Sequence, residues 1–376
     1  MEPALRPETA RVDLSRLRRN FEAVAAYGGR PVMPVVKADA YGHGPRAALA
    51  FEALGAPLLG VAFVEEGASL RKAGAQGAIL VLAGAGPEEA EALVAHRLAT
   101  VVATPRSQRG ALEAARLAPG KVAIHLKVDT GMTRLGLAPD EAAPAARRLA
   151  SAGCKVEGLL THLASAAEAP ETTDRQLDAF DAVVADLARQ GIRPPWVHAA
   201  NSAGLLHLRP THTLVRPGLL LYGLRPRPRT PEVEVHPVMT LAGRIELLRE
   251  VPAGTAVSYG GRWIARRPSR IATATLGYAD GVPRTEAMAR RGQLSIRGRR
   301  AAVAGTVCMD FTMLDVTERP DVQEGDEAVV FGDDPTAWDV ADWAGTNAWE
   351  VLTSVGLRVP RVYVDDGREV EVLSRY

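Results

Sequence analysis

From about residue 12 to about residue 225, short apolar runs rich in β-branched residues alternate with Ala-rich segments whose apolar positions recur at helical spacing. This is the rhythm of βα units, in which each strand is followed by a helix that covers it. The runs VMPVVKA, LLGVAFV, AILVLA, ATVVAT, VAIHLKV, VEGLLTHL, WVHAA and TLVRPGLLLYG read as eight strands. PEEAEALVAHRLA and DRQLDAFDAVVADLARQG read as helices between them, and DLSRLRRNFEAVAAYG as an extra helix in front. Eight parallel strands in roughly 220 residues fit a closed (β/α)8 TIM-type barrel, with an open doubly wound sheet as the rival. The polar residues favour the barrel. Lys37, Lys127, His162, Asn201 and Arg216 fall at or just past the C-terminal ends of their strands, the face on which such barrels build active sites.

A Pro/Arg-rich segment, LRPRPRTPEVEVHP, then breaks the pattern and reads as a linker. Beyond it, alternating runs with turn signals (VMTLAGRIELLREV, IATATLGYA, GQLSIRGRRAAVAGTVCMDFTMLDV, DEAVVFG) surround one helical stretch, TAWDVADWAGTNAWEVLTSVG, and end in the strand pair RVYVDDGREVEVL. The expected division is a barrel over residues 1–235 and a mostly β domain over 236–376.

Bulk composition narrows the function. A net charge of +1 offers no electrostatic footprint for nucleic acid or an anionic membrane. A small neutral or zwitterionic partner is expected instead. The first residues, MEPALRPETARVDLSRL, lack the charged-then-apolar order of a secretion signal, and no apolar stretch reaches the roughly 18 residues that span a bilayer. A cytoplasmic location is expected. Two cysteines, Cys154 and Cys308, are too few for a disulfide framework and match no zinc spacing, so no metal is expected.

Arginine dominates the cations: of 45 Lys plus Arg only five are Lys, at 37, 72, 121, 127 and 155. Lysine can lose its proton near neutral pH when desolvated, whereas arginine effectively cannot. Lys121 and Lys155 open strands and Lys72 ends a helix, which makes them surface charges. Lys37 and Lys127 are different, because both end strands on the catalytic face. A strand-end lysine can pair with a carboxylate or form a Schiff base with a carbonyl cofactor. Tyr41, four residues after Lys37 and beside glycines, is a candidate phosphate or ring contact. In many barrels the loops after strands seven and eight bind phosphate through backbone N–H groups and a hydroxyl. Ser202 and the amides near Gly218 and Leu219 are the candidates, although Asn-Ser before a helix is also an ordinary N-cap.

VVKADAYGHG, LKVDTGMTRLG, LLTHLASA, HAANSAG, VRPGLLLYG, VSYGG, GYADGVPR, GTVCMD and RVPRVY together resemble, in order and across nearly the whole chain, the signatures of the alanine racemase family. The resemblance implies a pyridoxal 5'-phosphate (PLP) enzyme that interconverts L- and D-alanine and supplies D-alanine for peptidoglycan. It also implies a head-to-tail homodimer in which each active site is completed by the partner's second domain. Lys37 matches the Schiff-base lysine, which is also the base on the D side, and Tyr259 the L-side base reaching in from the other subunit. Two bases suit racemisation, because the Cα proton leaves one face and returns to the other.

His162 resembles the histidine that bonds this tyrosine and stacks near the cofactor. Arg216 matches an arginine set against the pyridine nitrogen, a permanent cation that discourages ring protonation; decarboxylases of the same fold use a carboxylate there. Arg134 matches the ligand of the substrate carboxylate, and Lys127 a lysine often carried as a carbamate that holds this arginine. Met309 resembles a residue whose amide contacts the substrate carboxylate from the partner, with Asp310 beside it. Tyr278, Asp280 and Arg284 look like parts of the access route. Tyr41, Asn201, Ser202, Gly218 and Leu219 complete the implied cofactor contacts.

Two positions depart from the family pattern. Trp349 stands where a tyrosine usually bonds the phosphate and narrows the entrance, and Ala167 replaces an outer aspartate, with Glu168 adjacent. Indole donates one N–H but cannot accept. These changes leave a broader-specificity amino-acid racemase open as an alternative. A non-catalytic PLP carrier is a further rival, but such proteins resemble the barrel alone.

Overall fold

The computed structural model describes residues 6–207, 212–227 and 233–374. In its first half six parallel strands follow one another in chain order: Leu58–Val61, Ala78–Val81, Ala99–Val102, Ala123–Lys127, Lys155–Leu160 and Trp196–His198. The expected first and eighth strands pair through bridges rather than ladders, Val32 with Val215 and Val35 with Gly60, both parallel. Met33 N donates to Val215 O and Val36 N to Gly60 O, each at 2.8 Å, and Arg216 N donates to Ala200 O at 2.9 Å. The ring is therefore closed, and the open-sheet alternative is excluded. Proline explains the sparse pairing. Pro31, Pro34 and Pro217 have no N–H to give, and the seam uses only their carbonyls.

Met33, Leu58, Leu80, Val101, Leu160 and Leu214, each from a different strand, pack into one cluster. Side chains from strands all around the ring can meet only in its lumen, so the barrel is plugged with hydrocarbon beneath its catalytic end. The front helix, Leu14–Gly28, is started by Asp13, whose carboxylate accepts from Arg16 N at 2.9 Å, and stopped by Gly29 at φ 55°.

The second half is built on a nine-stranded sheet. Its interior includes a strand that periodicity does not announce: Thr9–Asp13, parallel to Arg361–Asp365 and antiparallel to Met239–Val251. The helical stretch expected near residue 340 is two helices, Ala337–Ala344 and Ala348–Thr353. Gly345, left-handed at φ 76°, ends the first, and Asn347 caps the second by accepting from Glu350 N. Residues 228–232 of the expected linker lie outside the described residues, but its flanks are packed. Leu224 and Val233 are buried, and Asn20 donates to Leu221 O and His236 O while accepting from His236 N. Among the described residues no helix is long and apolar enough to cross a membrane.

Leu80 is fully buried in the lumen cluster. Leu80→Ala is expected to destabilise the protein by about 2–5 kcal/mol, seen as a lower urea midpoint with an unchanged slope.

Candidate active site

The catalytic end of the barrel holds a cavity of about 620 Å³, lined among others by Lys37, Tyr41, Lys127, Arg134, His162 and Arg216. Asn201, Ser202, Gly218, Leu219, Ala167 and Trp349 also line it. The sequence-derived residues of the barrel thus converge on one space.

Lys37 enters it from an unusual backbone. Ala38, Asp39, Ala40 and Tyr41 are all left-handed, with φ of 53°, 56°, 54° and 53°. For L-residues this conformation costs about 1–2 kcal/mol each. The turn is closed internally: Ala40 N donates to Val36 O, Gly42 N to Ala38 O and Gly44 N to Asp39 O. Lys37 and Tyr41 stand at the two ends of this one turn, which is how residues four apart both reach the cavity. Partial burial and the charge of Arg134 lower the Lys37 pKa, with Glu66 opposing. Tyr41 is 7% exposed. It stacks on Tyr222 with ring centroids 5.0 Å apart, and burial pushes its phenol up to about 12. A Cβ at Gly218 would fall 2.6 Å from the Tyr41 hydroxyl, so only glycine lets that hydroxyl approach the backbone after strand eight.

Ser202 and this backbone meet directly: Ser202 Oγ accepts from Gly218 N at 3.0 Å and Leu220 N at 3.5 Å. Leu219, between these two amides, begins the short 3₁₀ turn Leu219–Tyr222 and lines the cavity. Asn201 Oδ1 accepts from Gly204 N at 2.8 Å, so Asn201 caps the helix Ser202–His207 while lining the cavity.

Arg216 is 4% exposed and held by neutral groups. Its guanidinium donates to the carbonyls of His198 (2.6 Å), Thr161 (2.8 Å) and Ala199 (3.0 Å), and to His198 Nδ1 (3.1 Å). None of these partners is a carboxylate. Burial brings the pKa down to about 10, which still leaves a cation at neutral pH. Because arginine can only donate, His198 Nδ1 accepts and its Nε2 carries the proton, which it gives to His125 Nδ1 at 2.9 Å. Burial and Arg216 hold His125 down to about 3, and His198 well below its ordinary value, so both imidazoles are neutral. His162 Nδ1 lies 3.5 Å from Arg216. Burial, then Arg216, Lys127, Arg134 and Lys37, hold His162 at about 3, so it too is neutral.

Lys127 ends its strand at 5% exposure. Burial, Arg134 and Arg216 draw its pKa down to about 8. Arg134 sits in the following loop, whose turn is shaped by Asp129 Oδ1 accepting from Gly131, Met132 and Thr133 N. Trp349 reaches the cavity from the second domain and stands edge-on to Trp338 at 5.7 Å and 88°. Arg227 lies over Trp338 at 4.7 Å.

Tyr259, Met309, Tyr278 and Arg284 do not line this cavity. They lie on the surface of the second domain, with Tyr259 68% and Met309 50% exposed. Tyr259 begins a tight turn after Ser258, itself at φ 64°. Asp280 differs from its expected place on an access route. It is 0% exposed and holds Arg358 through both oxygens, at 2.9 and 3.0 Å. Arg358 in turn pairs with Asp310 at 2.8 Å. Asp280 is a buried support of the Met309 loop.

Sequence reading missed residues that act at long range. Gln176, 2% exposed on the helix Pro170–Arg189, accepts from Ala164 N and donates to His162 O, fixing the loop after strand six. A glutamine at helical spacing from Phe180, Val183 and Leu187 was the available signal. Glu66 and Arg361 belong to the same group: each bonds the backbone of the Lys37 turn from a distant segment.

The family model of the alanine racemase N-terminal domain matches residues 12–226, and that of the C-terminal domain residues 238–363. The alanine racemase of Halothermothrix orenii is 42% identical over 373 residues, covering 95% of this chain and 97% of its own. Among solved structures, alanine racemase from Clostridium difficile 630 superposes with a TM-score of 0.93 at 31% identity, covering 99% of both chains. The enzyme from D-cycloserine-producing Streptomyces lavendulae gives 0.89 at 36%, over 96% of this chain and 98% of its own. Both halves of the chain take part in these matches, which a barrel-only carrier could not provide, and the chain belongs to the alanine racemase family.

Proposed function

We propose that this alanine racemase works with PLP held on Lys37 and with two bases, Lys37 and Tyr259 of the partner subunit, in a homodimer that shares its active sites. The observation that carries this reading is the division of the chemistry. Lys37 and the cation cluster converge on one cavity, while Tyr259 stands exposed on another face of the same chain.

The residues fit the cofactor. Gly218, where any Cβ would collide with the Tyr41 hydroxyl, lets that hydroxyl stand near the backbone that bonds Ser202, and Tyr41, Ser202 and the amides of residues 218 and 220 would together hold a phosphate group. Bound there, PLP would supply the electron sink that makes the Cα proton of alanine removable. Arg216 faces the cavity as a cation with no carboxylate among its partners, which suits proton transfer over decarboxylation. Lys37 Nζ, with its proton affinity lowered, holds or releases a proton on one face of the substrate. The hydroxyl oxygen of the partner subunit's Tyr259 does so on the other. With Nδ1 turned to Arg216, neutral His162 keeps its proton on Nε2 for donation to that oxygen. Arg134 binds the substrate carboxylate. We place the enzyme in the cytoplasm, supplying D-alanine for peptidoglycan.

Lys37→Ala is expected to abolish both activity and the visible absorbance of lysine-bound PLP; turnover retained without that absorbance would remove Lys37 from its role. Tyr259→Phe should slow solvent-deuterium entry from L-alanine by about a hundredfold, with a smaller effect from D-alanine. Mixing the two inactive variants tests the sharing of sites. A dimer with one chain of each kind regains one intact site, so activity should return to about a quarter of the parent level. Sites made from single chains would give no recovery.

A carbamate on Lys127 needs a neutral amine to attack CO2, with loss of one proton. Labelled bicarbonate is therefore expected to give a carbamate carbon signal that weakens as pH falls below about 8 and is absent in Lys127→Met. A signal that survives the substitution would place the group elsewhere.

A further inference from the structure

The turn that carries Lys37 is left-handed over four consecutive non-glycine residues, and nothing within a five-residue turn favours that hand. Such backbone persists only where its surroundings over-determine it. Two charged side chains from opposite parts of the fold meet its ends. At the start, Ala38 N donates to Glu66 Oε1 at 2.8 Å, and Glu66 Oε2 accepts from Ala62 N at 2.6 Å. Glu66 lies in the first turn of the barrel helix Val64–Lys72. At the finish, Gly42 O accepts from Arg361 Nε at 3.0 Å. Arg361 lies on the second-domain strand Arg361–Asp365 and is 3% exposed. Its remaining nitrogens donate to Gly356 O (2.6 Å), Val359 O (2.7 Å) and Val355 O (2.9 Å), so the guanidinium is anchored before it reaches the turn. Leu352 O closes on Gly42 from the same domain.

We propose that Glu66 and Arg361 are positioning residues that clamp the Lys37–Tyr41 turn, an anion at its free N–H end and a cation at its free C=O end. The signs match the dipole of the turn's aligned peptides, so each charge stabilises the end it meets. Neither residue touches the reacting atoms. Their effect is to hold the left-handed backbone from which Lys37 and Tyr41 both reach the cavity, against relaxation toward a right-handed turn that would aim the pair elsewhere. Through Arg361 the second domain supports the cofactor lysine of its own chain, in addition to presenting Tyr259 to its partner. The proposal rests on the reading of Lys37 as the PLP lysine.

The test uses the whole, PLP-loaded protein and the variants Arg361→Lys and Glu66→Gln. Glutamine keeps the shape and one acceptor of Glu66 but loses the charge. Hydrogen exchange of residues 38–44, followed by mass spectrometry, is expected to quicken about tenfold in each variant. Exchange in the strand Ala123–Lys127 should stay unchanged. The kcat should fall with KM nearly constant, because the substrate carboxylate site at Arg134 is untouched. If Arg361→Lys fails to fold, Glu66→Gln decides alone. Unchanged exchange over residues 38–44 in the folded variants would overturn the clamp. Equal acceleration throughout the barrel would overturn it as well, since it would mean only a general loss of stability. A parent protein that takes up no PLP would overturn the functional reading instead, and the exchange comparison would still judge the clamp.

Discussion

The chemistry of this chain depends on the seam where the first and last segments of the barrel meet. Val32 pairs with Val215, Met33 N bonds Val215 O, and Val35 N bonds Pro217 O at 3.1 Å. Those few bonds fix the relative height of the two segments. Lys37 and Arg216 leave the seam within a few residues of it, so a slip in this register would separate the amine from the guanidinium and Tyr41 from Gly218. Prolines make the seam thin, but they also remove alternative pairings, since a residue without an N–H cannot take part in a shifted ladder.

Above the seam the cavity gathers Lys37, Lys127, Arg134 and Arg216. Burial, and after it the mutual repulsion of these four basic side chains, sets the protonation around the cavity. The lysines give way: Lys37 is lowered and Lys127 reaches about 8. The histidines nearby stay neutral, with His162 and His125 at about 3. Arg216 keeps its charge. The resulting field favours anionic groups, a phosphate and a carboxylate above all, and makes a proton easier to remove from either lysine.

How much of this was legible depended on the range of the interaction. Strand and helix periodicity announced the barrel and most of the second sheet. Arg216, Lys127 and His162 could be picked out because they interrupt apolar runs at strand ends. The bridged character of the first and last barrel segments was present in Pro31, Pro34 and Pro217 but not read. Gly345 and Asn347 likewise mark a break inside a stretch whose apolar spacing reads as one helix. Asp280, by contrast, could not be placed from sequence, because its partner Arg358 is brought to it only by folding. Glu66, Gln176 and Arg361 were silent for the same reason: each is an ordinary residue in its own segment and acquires a role from a distant one.

Thr9–Asp13 sits between Met239–Val251 and Arg361–Asp365. The two halves are therefore threaded together, and neither can be cut away as a self-sufficient piece. The five residues of this strand stand far in sequence from both neighbours that satisfy their backbone. A folding chain must keep that segment solvated and unpaired until both partners reach it, and only then does the sheet close around the strand.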